Sequence, residues 1–257
     1  MRLPRINIPG ATTLVALVLV WEVLVRYHVL DFEYLPAPSG IAAACMPLIA
    51  SGDVFQQTLH TFAAVAMGWS VAAVLGVALG IALGLSSFLR RWSLASFEVL
   101  RPLPAIAFLP LALLLFNFSL RTELVLMIYA SVWPAFVNTM GGVMQVSPQL
   151  REVSRSLRLS RMRTLTQIVL PAAAPAIVTG CRLSMGLTLV MAIIAEMLAN
   201  PEGLGYAVIS ELQAMQPERM FVYILYIGVL AICLNSLLTR ISDFLLRHHP
   251  HVRNRNA

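Results

Sequence analysis

The chain has 257 residues, of which 59% are hydrophobic and only 12% charged, against roughly 25% charged in an ordinary soluble domain. Its net charge of +6 comes from 18 basic residues, every one an arginine. Without lysine there is no Walker A phosphate loop and no Schiff base, and without a soluble basic domain nucleic acid is a poor partner.

The first apolar segment, residues 11–30, follows Arg2 and Arg5. It is longer than a signal-peptide core and no small-x-small cleavage site follows, so it reads as a retained helix. Glu22 and Arg26, four positions apart, are placed to pair. The next stretch, 31–53, is too polar and proline-broken at its start to span, and Ser39 is placed to cap a short interfacial helix.

A second span is expected at 58–87. Gly68, Ala72, Gly76, Gly80 and Gly84 recur every four residues there, giving a face with almost no bulk that another helix can approach closely. His60, near its outer end, reads as a satisfied polar residue rather than a ligand. A third span, 102–118, contains Pro102, Pro104 and Pro110 and must be kinked or partly unwound, with neighbours satisfying the freed backbone groups. Its prolines suit either a pathway lining or simple tolerance. A fourth span, 122–145, includes Trp133, Pro134 and Asn138; a fifth, 172–198, includes Arg182 and ends near Glu196; a sixth covers 219–246. Each can cross a ~30 Å hydrocarbon core at ~1.5 Å per residue.

Between the fourth and fifth spans lies a basic stretch, 147–171, with Arg151, Arg155, Arg158, Arg161 and Arg163 against one acid, Glu152. Ser147 followed by Pro148 predicts an N-cap and first helical residue. Leu150, Val153 and Leu157 form one apolar stripe, and Leu159, Met162, Leu165 and Val169 a second, out of phase with the first. The pattern predicts two short helices with a break near 158–160, the second ended at Pro171.

With the N-terminus inside, fourteen arginines (2, 5, 90, 91, 101, the five of the loop, 240, 247, 253 and 255) fall on the cytoplasmic side and only Arg26, Arg121 and Arg219 outside. That is the positive-inside pattern, and both termini and the central loop become cytoplasmic. Asp31, Glu33, Asp53, Glu123, Glu202, Glu211 and Glu218 then face outward. Cys45, Cys181 and Cys233 show neither metal spacing nor a disulfide framework; no metal site and no cofactor of the chain's own is expected.

The central loop resembles the cytoplasmic loop of binding-protein-dependent ABC transporter permeases. Glu152-Val153-Ser154 stands at the family's Glu-Ala-Ala, and Ile168-Val169-Leu170-Pro171 at its Ile-x-Leu-Pro ending. Arg158 departs from the family's glycine, so it must either accept a positive φ or the turn must differ. Tyr34 to Ser39, the glycine-rich second span, Leu100-Arg101-Pro102-Leu103-Pro104, the 182–197 segment and Gly203-Leu204-Gly205-Tyr206 are similar to the subgroup serving sulfonates, taurine, nitrate and thiamine-precursor pyrimidines.

This resemblance implies an all-α integral membrane protein of the bacterial inner membrane: a single permease domain over 1–257, its family-like core at about 55–246, with six spans and a coupling helix in the loop. It implies no enzymatic activity, a separate cytoplasmic ATPase that binds the ATP, a periplasmic solute-binding protein, and a second permease copy. Leu150, Val153 and Leu157 would dock into the ATPase, with Glu152, Arg155 and Arg158 beside them, while Gly68, Gly76, Gly80 and Gly84 pack helices. The function expected is passage of a small anionic or polar organic solute by alternating access.

Candidate pathway residues are Pro104, Asn138, Arg182 and Glu196. Arg182 and Glu196 are ~21 Å apart along one helix, too far to pair; Arg182 suits a passing anion or the inner headgroups equally, and Glu196 reads as pathway or as plainly solvated. The rival is a self-contained ion-coupled transporter, which needs intramembrane carboxylates. The sequence reading finds none beyond Glu22.

Overall fold

Small side chains decide where the longest helices meet. In the computed structural model, which describes residues 8–29, 32 and 34–246, α3 (Asp53–Leu85) lies against α6 (Leu120–Met144), and α6 against α9 (Leu170–Ala199). A Cβ placed on Gly76 would stand 2.7 Å from Ala135 Cβ and from the Val132 carbonyl; one on Gly80 would stand 2.6 Å from Thr139 Cβ; one on Gly84, 2.7 Å from Val143 Cβ. Gly68 has Met127 at 3.1 Å. On the other side of α6, Gly142 faces Ala176, and Gly180 faces Asn138 and the Pro134 carbonyl. Backbones this close gain dispersion along their length, which is how helices associate where lipid removes the hydrophobic drive.

Polar groups stitch the same trio. Trp69 Nε1 donates to the Cys181 carbonyl at 2.9 Å, and Ser184 Oγ to the Ser131 carbonyl at 2.6 Å. Around the trio lie α1 (Ile8–Arg26), α2 (Pro38–Ser51), α4 (Ser87–Leu100), α5 (Leu109–Phe116), α7 (Pro148–Ser156), α8 (Arg161–Thr164), α10 (Leu204–Gln213) and α11 (Pro217–Leu246). Every described element is helical.

Four described helices are long and apolar enough to cross a membrane, the longest being the unbroken run Arg161–Ala199 of 39 residues. A fifth crossing is available only if α4 and the Ala105–Phe116 segment, bent by 84°, count as one broken span. Tyr129 Oη donates to the Leu100 carbonyl at 2.7 Å, answering a backbone group freed at the break. Phe97 and Phe108 pack on Phe136, Trp133 and Tyr129 of α6, with ring centroids 4.8 to 6.2 Å apart. The first expected span corresponds to α1, which is not among these, and its side chains from Thr12 to Val20 are exposed.

Two local expectations are corrected. Ser39 lies inside the first turn of α2, not at its cap. Its amide and hydroxyl both donate to Glu22, at 2.9 and 2.8 Å, so the Glu22 carboxylate caps α2 from α1 instead of serving only Arg26. Pro171 does not end the helix it follows. A π-helical turn, Leu165–Val169, widens the chain just before it and absorbs the hydrogen bond the proline cannot donate, so the axis runs on into α9.

Candidate functional site

Three regions carry the residues singled out from the sequence. The first is the basic loop. Ser147 Oγ accepts the Leu150 amide at 3.4 Å, and α7 begins at Pro148. The helix ends where expected: Arg158 has φ +46°, and the Leu159 amide returns to the Ser154 carbonyl at 3.0 Å. That is a Schellman closure with arginine at the position glycine usually takes, so Arg158 accepts the strain and the turn is kept. Leu150 and Leu157 are exposed, as is Glu152. Glu152 shares a groove of about 400 Å³ with Arg90, Gln145 and Pro148. The side chains of Arg151, Val153 and Arg155 lie outside the described residues. The second stripe turns inward by degrees: Met162 is exposed, Leu165 half-buried, and Val169 packs with Val143, Val146 and Ala173.

The second region is a cavity of about 370 Å³ beside the middle of α6, lined by Arg101, Ala130, Trp133, Pro134, Val137, Asn138 and Leu187. Asn138 Nδ2 donates to the Pro134 carbonyl at 2.9 Å. Arg101 had been assigned to the cytoplasmic surface. In the fold it is exposed, at the break that follows the 14 residues of α4 and beside the middle of α6. Proline-rich punctuation was the signal, since it marked where the span opens. Pro104 is exposed in this break, and Arg182 is exposed on α9 and does not line the cavity.

The third region is a buried polar cluster where the N-terminal ends of α3 and α6 meet the C-terminal end of α9. Glu196, read from the sequence as pathway or plainly solvated, is 1% exposed. Its carboxylate accepts Thr61 Oγ1 at 2.7 Å and the Gly205 amide at 2.8 Å. Gln57 accepts the Gly203 amide at 2.6 Å, and Thr61 the Leu204 amide at 2.9 Å. Three successive donors at the start of α10 thus find side-chain acceptors, and a carboxylate sits at a helix N-terminus, where it is favoured. Gly203, at φ +100°, leaves the space the Glu196 carboxyl fills.

Glu123, expected to face outward, is fully buried. Asn200 Nδ2 donates to its Oε2 at 2.8 Å and stands 3.0 Å from His60 Nε2. His60 Nδ1 meets Glu202 Oε2 at 3.0 Å. Sequence reasoning missed this convergence because its members come from three distant helices and no spacing links them. The argument against an ion-coupled transporter, that no span core beyond Glu22 supplies a carboxylate, stands beside these acids at span ends, and kinship supplies a stronger one.

Residues 72–247 match the family described as "Binding-protein-dependent transport system inner membrane component". The chain is 31% identical over 241 residues to the nitrate import permease protein NrtB of Synechocystis sp., covering 90% of this chain and 86% of that one. It is 29% identical to the putative aliphatic sulfonates transport permease protein SsuC of Bacillus subtilis, covering 90% and 84%. It is 31% identical to the bicarbonate transport system permease protein CmpB of Synechococcus elongatus, covering 76% and 70%. In fold it is similar to the MetNI methionine ABC transporter in an inward-facing form, with TM-score 0.61, 18% identity, and 73% and 91% of the two chains covered. An amino acid ABC transporter gives TM-score 0.55 at 17% identity, covering 79% and 94%. With most of its length matched and its long helices packed as membrane spans, the chain belongs to the binding-protein-dependent transport system inner membrane components, the permease subunits of ABC importers.

Proposed function

We propose that this permease passes a small oxyanion, inorganic or organic, from a periplasmic binding protein to the cytoplasm. Nitrate, sulfonates and bicarbonate, named for its relatives, share a delocalised negative charge on oxygen. The observation that carries the reading is the cavity beside the middle of α6, where Arg101, exposed, lines the wall with Asn138 and Trp133. An intramembrane arginine is costly unless it faces a cavity or partner, and a planar fork of donors suits a planar or tetrahedral oxyanion. The residues around it are apolar enough to bind weakly, which a pathway needs if the solute is to leave.

ATP hydrolysis falls to a separate cytoplasmic subunit, because the chain has no lysine for a phosphate loop. The loop 147–171 would meet that subunit on the arginine-rich side, with Leu150 and Leu157 offered as exposed apolar contacts and Glu152 at their rim. Closure of two ATPases would move two permease copies together, alternating the access of a central path.

Co-expression with a candidate ATPase subunit, followed by co-purification and ATP-driven uptake of labelled nitrate, bicarbonate or an alkanesulfonate into proteoliposomes, tests the proposal. Wild type should retain the ATPase and accumulate one of these anions, whereas Glu152→Ala and Leu157→Asp should lose the ATPase. Purification alone, or uptake independent of ATP, would sink it.

A further inference from the structure

We propose that His60, Glu123 and Glu196 form a binding site for one divalent first-row transition-metal ion of the Zn²⁺ class, joining the ends of α3, α6 and α9. One ligand atom from each lies within 4.8 Å of the others. Zinc holds nitrogen and oxygen donors at ~2.1 Å, so its ligands stand ~3.4 Å from one another in a tetrahedron. Closing the set asks for side-chain rotation of about an ångström, and no helix has to move.

Four observations point to a cation rather than to a polar cluster complete in itself. Glu123 is fully buried, yet its Oε1 has no hydrogen-bond partner, although nearly all buried carboxylate oxygens find one. Charge does not balance either. Among the described residues no arginine pairs with Glu123 or Glu196, and Arg219 is paired with Glu211 at 3.1 Å. His60, the one basic group beside them, cannot offset two carboxylates, whereas a divalent ion can.

The histidine is also oriented as a ligand. Glu202 at 3.0 Å from Nδ1 holds the proton there and leaves the lone pair on Nε2, which the Asn200 amide, 3.0 Å away, now occupies and which a metal would take over. A carboxylate behind the remote ring nitrogen is the usual outer support of a metal-bound histidine. Thr61 and the Gly205 amide hold Glu196 in the same way. The Asn200 amide, donating to both His60 and Glu123, now stands where an ion would be shared, and it would turn aside or offer its oxygen. Finally the site is reachable, since the His60 side chain is 19% and that of Glu202 63% exposed.

Imidazole with two carboxylates suits Zn²⁺ or Mn²⁺ and offers nothing to soft thiophilic ions. The ion would add coordinate bonds between three helices that otherwise meet here through hydrogen bonds and apolar packing, setting how far their ends can part.

The test uses full-length permease in lipid nanodiscs, stripped with chelator, in a background where the tail residues His248, His249 and His251 are alanine so that they cannot compete. Zn²⁺ is titrated by calorimetry, and Co²⁺ is followed by its visible absorption. One equivalent per chain is expected. His60→Ala and the isosteric Glu123→Gln should each weaken binding by roughly 100-fold, and Glu202→Gln by roughly 10-fold. Absence of saturable Zn²⁺ and Co²⁺ binding to the unmutated site overturns the proposal and leaves the two carboxylates to share a proton. Equal affinity in His60→Ala and Glu123→Gln overturns it as well, by placing the ion elsewhere.

Discussion

The Glu196 carboxylate accepts the Gly205 backbone amide at 2.8 Å while occupying the space a side chain on Gly203 would need. One acid at the end of α9 therefore dictates the glycines nine residues or fewer beyond it, and α10 is seated by that acid. Gly203→Ala should be among the most damaging conservative changes in the chain. It adds a Cβ at φ +100° and against the carboxyl, so a loss of about 3 kcal/mol is expected from strain and overpacking together. A thermal-unfolding series in detergent, monitored by tryptophan fluorescence, should show the drop, and Gly186→Ala, where a Cβ meets open space, should not.

At the α3 and α6 contact, Gly80→Leu should prevent close approach, because even a Cβ would fall 2.8 Å from the Phe136 carbonyl. Backbone cannot give way as a flexible side chain can, so poor accumulation in membranes and protease sensitivity are expected. Wild-type accumulation would contradict the packing described for this face.

Arg158 provides a test of local strain. Its φ of +46° costs a non-glycine residue about 1 kcal/mol and a β-branched one more. Arg158→Gly should keep ATPase co-purification and hold or raise the unfolding temperature, while Arg158→Val should weaken co-purification by distorting the end of α7. The reverse order would mean that the arginine side chain, not the turn, makes the contact.

In the cavity beside the middle of α6, Arg101→Ala should lower ATP-driven anion uptake at least ~10-fold by removing its charge-assisted hydrogen bonds, with ATPase co-purification intact. Arg101→Lys should recover only part of it, since an ammonium lacks the planar fork. Uptake unchanged in both variants would take Arg101 out of the pathway.

What could be read from the chain alone followed from local physics. The four-residue glycine spacing located the face of α3, Ser147-Pro148 located the start of α7, and the prolines at 102–110 located the break opposite α6. What could not be read depended on distant partners. Glu123 and Glu196 look like ordinary acids near span ends, because only the packing of α3, α6 and α9 encloses them with His60 and Asn200. Pro171 looked like a terminator because a π-turn leaves no signature in the sequence. Arg101 gave no sign of the cavity it lines, because that depends on where the helix before it turns back to meet α6.

The unbroken helical run from Arg161 to Ala199 is, in mechanical terms, a push-rod. At ~1.5 Å per residue its 39 residues reach roughly 58 Å, well beyond a ~30 Å hydrocarbon core. One end adjoins the basic loop and the other carries Glu196, so a tilt imposed at the first is delivered to the polar cluster at the second. The soft joints along the rod are the π-turn before Pro171 and the interior proline Pro175, both near its loop end. Stiffening those joints, or loosening them, would change how much of a movement at one face of the membrane is felt at the other.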